Sequence, residues 1–348
     1  MKTTPVPTDA REDPAVHGAN HRGFGRSATL LQSLAGGWIA VVLVAMLAVF
    51  AVLSPVFLTS FNLLNILVSA SVVLIMAVGQ TFVIITAGID LSVGSVLVFS
   101  GVVAGTVMFG IGGADANWLS IAIGAIVGMA AGVAWGVVNG VLVARARVPA
   151  LIVTLGTLGM ALGLAQVITG GVDLHNVPKR LTDTFGFGDL FGIPVLVIAA
   201  VVVAVAGGIL LSQTRFGRHT YAVGSNPEAA RRAGIKLERT LIQVYALQGL
   251  LAGIAGVLSL ARFATTTIGG HTADNLAVIS GVVLGGTSLF GGYGSIPGTL
   301  VGILIPVVLQ NGLIILGVQP YWQTFAIGGI LILAVYIDQL KRRLRQRA

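Results

Sequence analysis

Long apolar stretches alternate with short polar segments along most of the chain. Most of the ten stretches approach the ~20 residues that a helix needs to cross a bilayer. They lie at about 37–54, 62–86, 93–111, 118–143, 150–169, 192–211, 241–262, 275–290, 296–316 and 322–338. The pattern predicts an all-α polytopic membrane protein with about ten transmembrane helices, of which one or two are broken or re-entrant. Gly and Pro interrupt 275–290 and 296–316, which form either two spans or a re-entrant pair.

The two ends of the chain differ from its apolar middle. Residues 1–36 are polar and rich in Pro, Gly, His and Arg, as is typical of a disordered tail, and residues 341–348 are basic. We therefore expect one transmembrane domain over 37–340 with a cytoplasmic tail on each side. The leading polar segment is too long for the n-region of a cleaved signal peptide.

Composition supports this class of protein and excludes others. Apolar residues make up 55% of the chain and charged residues only 9%, whereas soluble domains carry about 25% charged residues. There is no cysteine, which excludes disulfides, thiolate metal sites and thiol nucleophiles. No metal-ligand cluster or nucleophile–base pair is evident in the sequence, which argues against a membrane enzyme. The net charge of +8 does not indicate nucleic acid, because the basic residues are confined to the ends of apolar spans.

The basic residues fix an expected orientation. Most of the 20 Lys and Arg residues fall in four groups, which are residues 2–26, Arg145 with Arg147, residues 215–239 and residues 341–347. Ten spans that start inside place all four groups on one side, and the positive-inside rule makes that side cytoplasmic. Both termini are then expected in the cytoplasm.

A short polar helix is predicted between the sixth and seventh spans. Asn226 can accept an orphan backbone N–H as an N-cap, and Pro227 then falls at the first helical position. Glu228 lies by the positive end of the helix dipole, and Gly234 can adopt the left-handed conformation that ends a helix. A capped, charged helix of about two turns is suited to binding a partner. The residues given this role are Asn226, Pro227, Glu228, Ala229, Ala230, Arg231 and Gly234.

Glycine recurs at every fourth position of the fourth span. The repeat consists of Gly124, Gly128, Gly132, Gly136 and Gly140. Such a face lets helix backbones approach closely. We favour plain helix packing over a helix that lines a pathway.

Ionisable side chains are almost absent from the spans, and the nearest acids, Asp90 and Asp274, lie at span edges. Carriers coupled to protons or sodium usually need such groups, so the energy is expected to come from elsewhere. The polar groups at membrane depth are mostly hydroxyls and amides, which suit a neutral polyol and equally suit interhelical hydrogen bonds. The candidates for a translocation pathway are Gln80, Asp90, Ser92, Asn139, Gln166, Thr287, Gln310 and Asn311.

Two segments, 86–95 and 285–295, interrupt apolar runs with Gly, Ser and Thr. Interrupted spans in both halves of a chain are typical of a transport pathway. Two ordinary turns between spans explain the pattern equally well, so both interpretations stay open.

Four motifs in the region 37–345 point to one family of transporters. They are Gly88-Ile89-Asp90-Leu91-Ser92-Val93-Gly94, the segment from Asn226 to Ile235, the Gly-rich run from Val282 to Ser295, and Asn311-Gly312 followed by Trp322-Gln323. Together they resemble the ribose-type sugar permeases of bacterial ABC importers. The resemblance implies a transmembrane permease subunit in the bacterial inner membrane, which imports a monosaccharide or related polyol.

The same resemblance implies three partners. They are a cytoplasmic ATPase, a periplasmic sugar-binding protein, and a second permease chain that is identical or related. The sequence has no Gly-Lys dipeptide and therefore no P-loop. We expect a transport subunit that is not itself an enzyme and binds no cofactor or metal, with ATP bound by the partner that contacts the 226–234 helix.

One departure from the family pattern leaves the substrate open. Many relatives carry Tyr-Glu-Leu-Asp-Ala-Ile-Ala-Ala before the late Gly-rich motif, and this chain has Asn275 and Ala277 in place of the two acids. The main alternative is a permease of the same superfamily for branched-chain amino acids, nucleosides or a signalling furanose. An ion-coupled secondary transporter is a weaker alternative.

The loop at 170–191 holds the richest polar set on the side expected to face the periplasm. We expect Asp173, Lys179 and Arg180 to help dock the binding protein, with the two cations steering acidic patches on its surface. A plain solvated loop fits the same residues.

Overall fold

The structure, a computed structural model, describes residues 24–271 and 274–347 and is almost entirely helical. A short strand pair, β1 (Asp189–Leu190) with β2 (Ile193–Pro194), is antiparallel. Single turns of 3₁₀ and π helix lie at Gly113–Asp115 and Thr182–Gly186. The α-helices are α1 (Phe24–Leu53), α2 (Ser60–Ile85), α3 (Val93–Gly112), α4 (Trp118–Ala144), α5 (Ala150–Thr169), α6 (Lys179–Leu181), α7 (Val195–Gln213), α8 (Arg215–Ser225), α9 (Pro227–Arg232), α10 (Leu237–Phe263), α11 (Asp274–Leu284), α12 (Ile296–Ile315) and α13 (Pro320–Arg347).

Within the described residues, eight helices are long and apolar enough to cross a membrane, namely α2, α3, α4, α5, α7, α10, α12 and α13. The two other predicted spans are also helical but shorter, as the apolar segment Ile39–Leu53 of α1 and as α11. The predicted all-α polytopic membrane fold is therefore confirmed.

Helix α1 begins at Phe24, well before the predicted span at 37–54. Residues 24–36, which we expected in a disordered tail, are helical because they contain no Pro and are rich in Ala and Leu. Residues 1–23 lie outside the described part of the chain. At the other end α13 continues to Arg347, so residues 341–347 extend a helix, as their Lys, Arg and Leu content favours.

The predicted span at 275–290 is corrected by the structure, because its helix, α11, ends at Leu284. Eleven residues rise about 16 Å, roughly half of the ~30 Å hydrocarbon core. The preceding segment turns back into the bundle, since His271 Nε2 lies 2.8 Å from Ser259 Oγ, about one turn below the end of α10. The chain therefore re-enters the bundle before α11 begins, and residues 285–295 form the turn that follows α11.

The two ends of the bundle differ in charge. At one end, the connection between α4 and α5 and residues 231–243 line the same cavity. At the same end, the backbone N–H of Leu289 donates to Asp338, near the end of α13, at 3.3 Å. We call this end of the bundle the basic end and define it by Arg145, residues 213–239 and residues 285–295. The opposite end holds residues 170–194 and 264–271, joined by the hydrogen bond from Thr266 N–H to Leu174 C=O at 3.1 Å. Arg145, Arg147 and the cations of residues 215–239 therefore lie at one end, as predicted. The cations of residues 2–22 lie outside the described residues, and the assignment of this end to the cytoplasm stays a prediction.

Helix α10 forms the centre of the bundle and packs against α2, α3 and α4. The glycine face of α4 makes close packing possible, because a Cβ at Gly128 would lie 2.7 Å from the Ser100 carbonyl oxygen of α3. One at Gly140 would lie 2.8 Å from Ile242 Cα of α10. Since lipid gives helices no hydrophobic reason to associate, such backbone contacts hold them together. The packing interpretation of the glycine repeat is confirmed.

Candidate functional site

The loop between α2 and α3 carries polar groups into the bundle. Ala87 adopts a φ of 60° where the chain turns back after α2, a conformation that costs free energy in a residue other than Gly. Gly94 N–H, in the first turn of α3, donates to Asn275 Oδ1 of α11 at 2.7 Å. The amino-terminal ends of α3 and α11 therefore meet inside the bundle, and Asn275 satisfies an orphan N–H of α3.

Three of the pathway candidates form one hydrogen-bonded cluster. Asp90 Oδ1 accepts from the backbone N–H of Ser92 at 2.8 Å and from its hydroxyl at 2.6 Å. Asn139 Nδ2 donates to Ser92 Oγ at 2.9 Å, and Thr157 Oγ1 donates to Asn139 Oδ1 at 2.7 Å. All four residues are buried, so these bonds offset the loss of hydration of the carboxyl group. The cluster ties the α2–α3 loop to α4 and α5.

The other pathway candidates do not join this cluster. Gln80 is fully buried, and neither of its amide atoms has a hydrogen-bond partner among the described residues. The Thr287 hydroxyl is also buried and has no hydrogen-bond partner among them. Gln166 lies exposed on α5, while Gln310 and Asn311 line a cavity near the opposite end. The eight candidates therefore do not line one continuous pathway in this conformation.

The predicted polar helix is present as α9. Asn226 Oδ1 accepts from Ala229 N–H at 3.0 Å, and Pro227 occupies the first turn. Gly234 has a φ of 83°. The helix ends in a Schellman motif, because Ile235 N–H donates to Ala230 C=O and Gly234 N–H to Arg231 C=O, both at 3.0 Å. Glu228, Arg231 and Arg232 are exposed, and Ala230 faces inward. The caps predicted from sequence are confirmed, and the coupling role of the helix stays a prediction.

Helix α9 connects to the bundle interior through close backbone contacts. A Cβ at Gly224, the second residue before the N-cap, would clash with the Ile85 carbonyl oxygen and lie 2.8 Å from Gly292 N. That same Ile85 oxygen accepts from Gly292 N–H at 2.8 Å. The end of α8, the end of α2 and the turn at 285–295 therefore meet at one point. From there the chain reaches Asp90 within a few residues.

A tyrosine strengthens this junction. The Tyr221 hydroxyl on α8 donates to the Gly294 carbonyl oxygen at 2.7 Å. Burial raises the pKa of Tyr221, and the neighbouring Tyr293 raises it further. The hydroxyl consequently stays protonated and able to donate throughout the physiological pH range.

A basic groove lies beside α9. It is a cavity of about 790 Å³ that we call the basic groove. Its charged lining consists of Arg145, Arg147, Arg231, Lys236, Glu238 and Arg239. Five cations against one acid make the basic groove a suitable surface for an acidic partner.

The residues proposed to dock a binding protein occupy different environments. Asp173 faces inward, because its Oδ1 accepts from Ile268 N–H at 2.8 Å and from the Thr266 hydroxyl at 3.3 Å. Lys179 and Arg180 start the short helix α6 and are exposed. Only the two cations are therefore available to a partner, and Asp173 instead joins the two loops of the opposite end.

A second cavity, of about 210 Å³, lies near the opposite end between α2, α10, α11 and α12. We call it the Arg262 cavity. Its polar lining consists of Ser69, Arg262, His271, Asp274, Gln310 and Asn311. Sequence reasoning identified only the two α12 residues as pathway candidates. The closeness in sequence of an arginine, a histidine and an aspartate beside an apolar span was the signal that could have found the rest.

A helical membrane bundle with a capped helix at a basic end and polar cavities between its spans has the features of a transport permease. Residues 62–335 match the family described as "Branched-chain amino acid transport system / permease component". The chain therefore belongs to this permease family.

The chain is also similar to several sugar permeases, and the similarity covers most of the length of each. The ribose import permease protein of Escherichia coli K12 is 42% identical over 305 residues, 87% of this chain and 93% of that protein. The L-arabinose ABC transporter permease of Azospirillum brasilense is 37% identical over 346 residues, 99% and 97% of the two chains. The D-allose transport system permease of E. coli K12 is 38% identical over 301 residues, 86% and 91% of the two chains. No solved structure matched significantly.

Proposed function

We propose that the chain is the membrane permease of an ATP-driven importer for a monosaccharide in a bacterial inner membrane. The observation that carries this is its similarity to ribose, arabinose and allose permeases over nearly the full length of each. The hydroxyl and amide groups of the buried cluster and the polar Arg262 cavity are chemically suited to a substrate rich in hydroxyl groups.

We infer that energy enters at the basic end. A cytoplasmic ATPase binds α9, and acidic residues on its surface face the basic groove. When the ATPase closes, α8 and α9 move as one body because they are joined through Asn226. The junction of Gly224, Ile85 and Gly292 then transmits the movement to the α2–α3 loop, which carries Asp90. This is a rigid-body mechanism that switches between two states.

A periplasmic sugar-binding protein would deliver the substrate to the opposite end, where Lys179 and Arg180 are exposed. A second permease chain, identical or related, completes the assembly. Both termini of each permease then lie in the cytoplasm, since the cations group at the basic end.

The experiment that tests the substrate class is a ligand screen on the binding protein encoded with this permease. Thermal unfolding is measured with D-ribose, L-arabinose, D-allose and L-leucine. Stabilisation by one of the sugars and not by leucine is expected, because a ligand that binds only the folded state raises the unfolding temperature. Stabilisation by leucine alone would favour the branched-chain amino acid alternative named by the family description.

A further inference from the structure

We propose that the permease itself binds sugar at the Arg262 cavity, a subsite for a single polyol that rests on the proposed function. The observation is a set of polar groups with spare hydrogen-bonding capacity around a partly open cavity at the opposite end. A volume of about 210 Å³ corresponds to about seven water molecules at ~30 Å³ each. This is space for one small polar molecule.

Arg262 is fixed in place but keeps free donors. Its Nη1 donates to Val68 C=O at 2.9 Å, and its Nη2 donates to Ser69 Oγ at 3.0 Å. A guanidinium group has five N–H donors in a rigid fork, so donors remain for a ligand. The group also lies over the ring of Phe263, 5.2 Å from the ring centre, which holds its plane at the cavity wall.

The Asp274 carboxylate, the acceptor in this cavity, is also held in place on one side only. His271 Nδ1 lies 2.7 Å from Asp274 Oδ2, and His271 Nε2 contacts Ser259 Oγ. The histidine thus orients the carboxylate, whose Oδ1 makes no hydrogen bond among the described residues. A carboxylate oxygen and a guanidinium facing one cavity suit adjacent hydroxyl groups, one of which donates while the other accepts.

The two amides of α12 have different roles. Asn311 exchanges a pair of hydrogen bonds with Asn62, both at 3.0 Å, so half of the hydrogen-bonding capacity of its amide is already used. The Gln310 amide lines the same cavity and makes no hydrogen bond within the part of the chain that the structure describes. Within the described residues, Arg262, Asp274 and Gln310 therefore each keep hydrogen-bonding groups that are not satisfied and that a sugar could use.

The absence of cysteine allows a direct test with single-cysteine variants of the purified permease, without ATPase or binding protein. Ile314→Cys, at an exposed apolar position of α12 that lines the cavity, is labelled with a small methanethiosulfonate reagent in the presence and absence of D-ribose. We expect ribose to slow labelling by the factor 1 + [ribose]/Kd, which is about threefold at a concentration of about twice the Kd. L-leucine at equal concentration should not slow it.

Gln323→Cys is the matched control, because Gln323 lies on α13, donates to Val318 C=O at 2.8 Å and does not line the cavity. Its labelling should not respond to ribose. Adding Asp274→Asn to the Ile314→Cys variant should raise the ribose concentration needed for protection. A cysteine at position 314 that stays unreactive, or that reacts equally fast with and without ribose, overturns the proposal. If the complete transporter still imports ribose in that case, the proposed function stands and only the subsite is lost.

Discussion

At the scale of single residues, hydrogen bonds explain how Asp90 is held inside a largely apolar bundle. Ser92, Asn139 and Thr157 form a chain that ends on its carboxylate. The sequence predicted three of these four residues, Asp90, Ser92 and Asn139, as candidates for a translocation pathway, but not that they meet. The α2–α3 loop turns back at Ala87, and although the sequence allowed a turn at 86–95, no local pattern predicts a positive φ at an alanine.

Asn139→Ala tests the cluster. The substitution removes the donor to Ser92 Oγ and the acceptor of the Thr157 hydroxyl, so two buried polar groups lose a partner. We expect a loss of about 1–3 kcal/mol of stability, measured as a lower thermal unfolding temperature in detergent. Asn176→Ala, in an exposed loop, is the control and should leave the unfolding temperature unchanged. Equal stability of the two variants would contradict the structural role of the cluster.

Gly224→Ala tests the junction near the basic end. The added methyl group would push against the Ile85 carbonyl oxygen, and overpacking of this kind costs about 1–3 kcal/mol. We expect the ATPase to remain bound and to hydrolyse ATP while sugar uptake falls, because the movement of α8 no longer reaches the α2–α3 loop. Gly110→Ala, where nothing lies within 4 Å, should transport normally. Normal uptake by Gly224→Ala would remove this junction from the mechanism.

At the scale of elements, α9 was predictable from the sequence because its signals are local. Asn, Pro and Gly at fixed spacing specify a start and an end, and both are present in the structure. The end of α11 was missed, although Gly285 and Gly286 follow Leu284 directly and interrupt the apolar run. In the structure Gly285 packs against α12 and Gly286 adopts a φ of 90°, and the helix stops there.

The coupling role of α9 is tested by Glu228→Arg and Gly234→Val. The first places a cation at the positive end of the helix, at a cost of about 0.3–1 kcal/mol, and reverses an exposed charge. The second forces a β-branched residue into a left-handed conformation, at a cost of about 1–2 kcal/mol. We expect normal amounts in the membrane, weaker co-purification of the ATPase and lost uptake. Asp183→Arg, at the opposite end, should still co-purify with the ATPase. Unchanged binding and uptake in both variants would make α9 a simple connector.

In the loop at 170–191, different residues are expected to affect docking of the binding protein and stability of the fold. Reversing both charges, with Lys179→Glu and Arg180→Glu, should slow uptake at low concentrations of binding protein and at low ionic strength, because rim charges mainly affect the rate of association. Asp173→Ala should lower thermal stability instead, since it removes the acceptor for Ile268 N–H. Uptake that is independent of the two cations at every ionic strength would argue against their docking role.

At the scale of the whole molecule, hydrophobic run lengths predicted the class of protein, and charge predicted that Arg145, Arg147 and residues 215–239 share one end. Both depend on averages over many residues, so they tolerate local errors such as the one at α11. The Arg262 cavity could not be found this way, because it joins residues from α2, α10, α11 and α12. Those residues are far apart in sequence, and only tertiary packing brings them together.

The orientation is tested by single cysteines at Asn20, Ser225 and Arg345 in the cysteine-free chain. We expect all three positions to react with a membrane-impermeant reagent only after the inner membrane is opened. A cysteine at Lys179 should react in cells with a permeable outer membrane alone. Reaction at position 225 without opening the inner membrane would contradict the coupling role of α9.

The central claim is that this chain carries sugar across a membrane with energy from a partner ATPase. The most direct measurement is uptake into proteoliposomes that contain the permease and its ATPase, with ATP inside and loaded binding protein outside. We predict accumulation of radiolabelled sugar, of the kind that the binding protein selects, that requires ATP and is absent when the permease is omitted. Uptake that proceeds without ATP, or a complex that hydrolyses ATP but accumulates leucine and no sugar, would contradict the account.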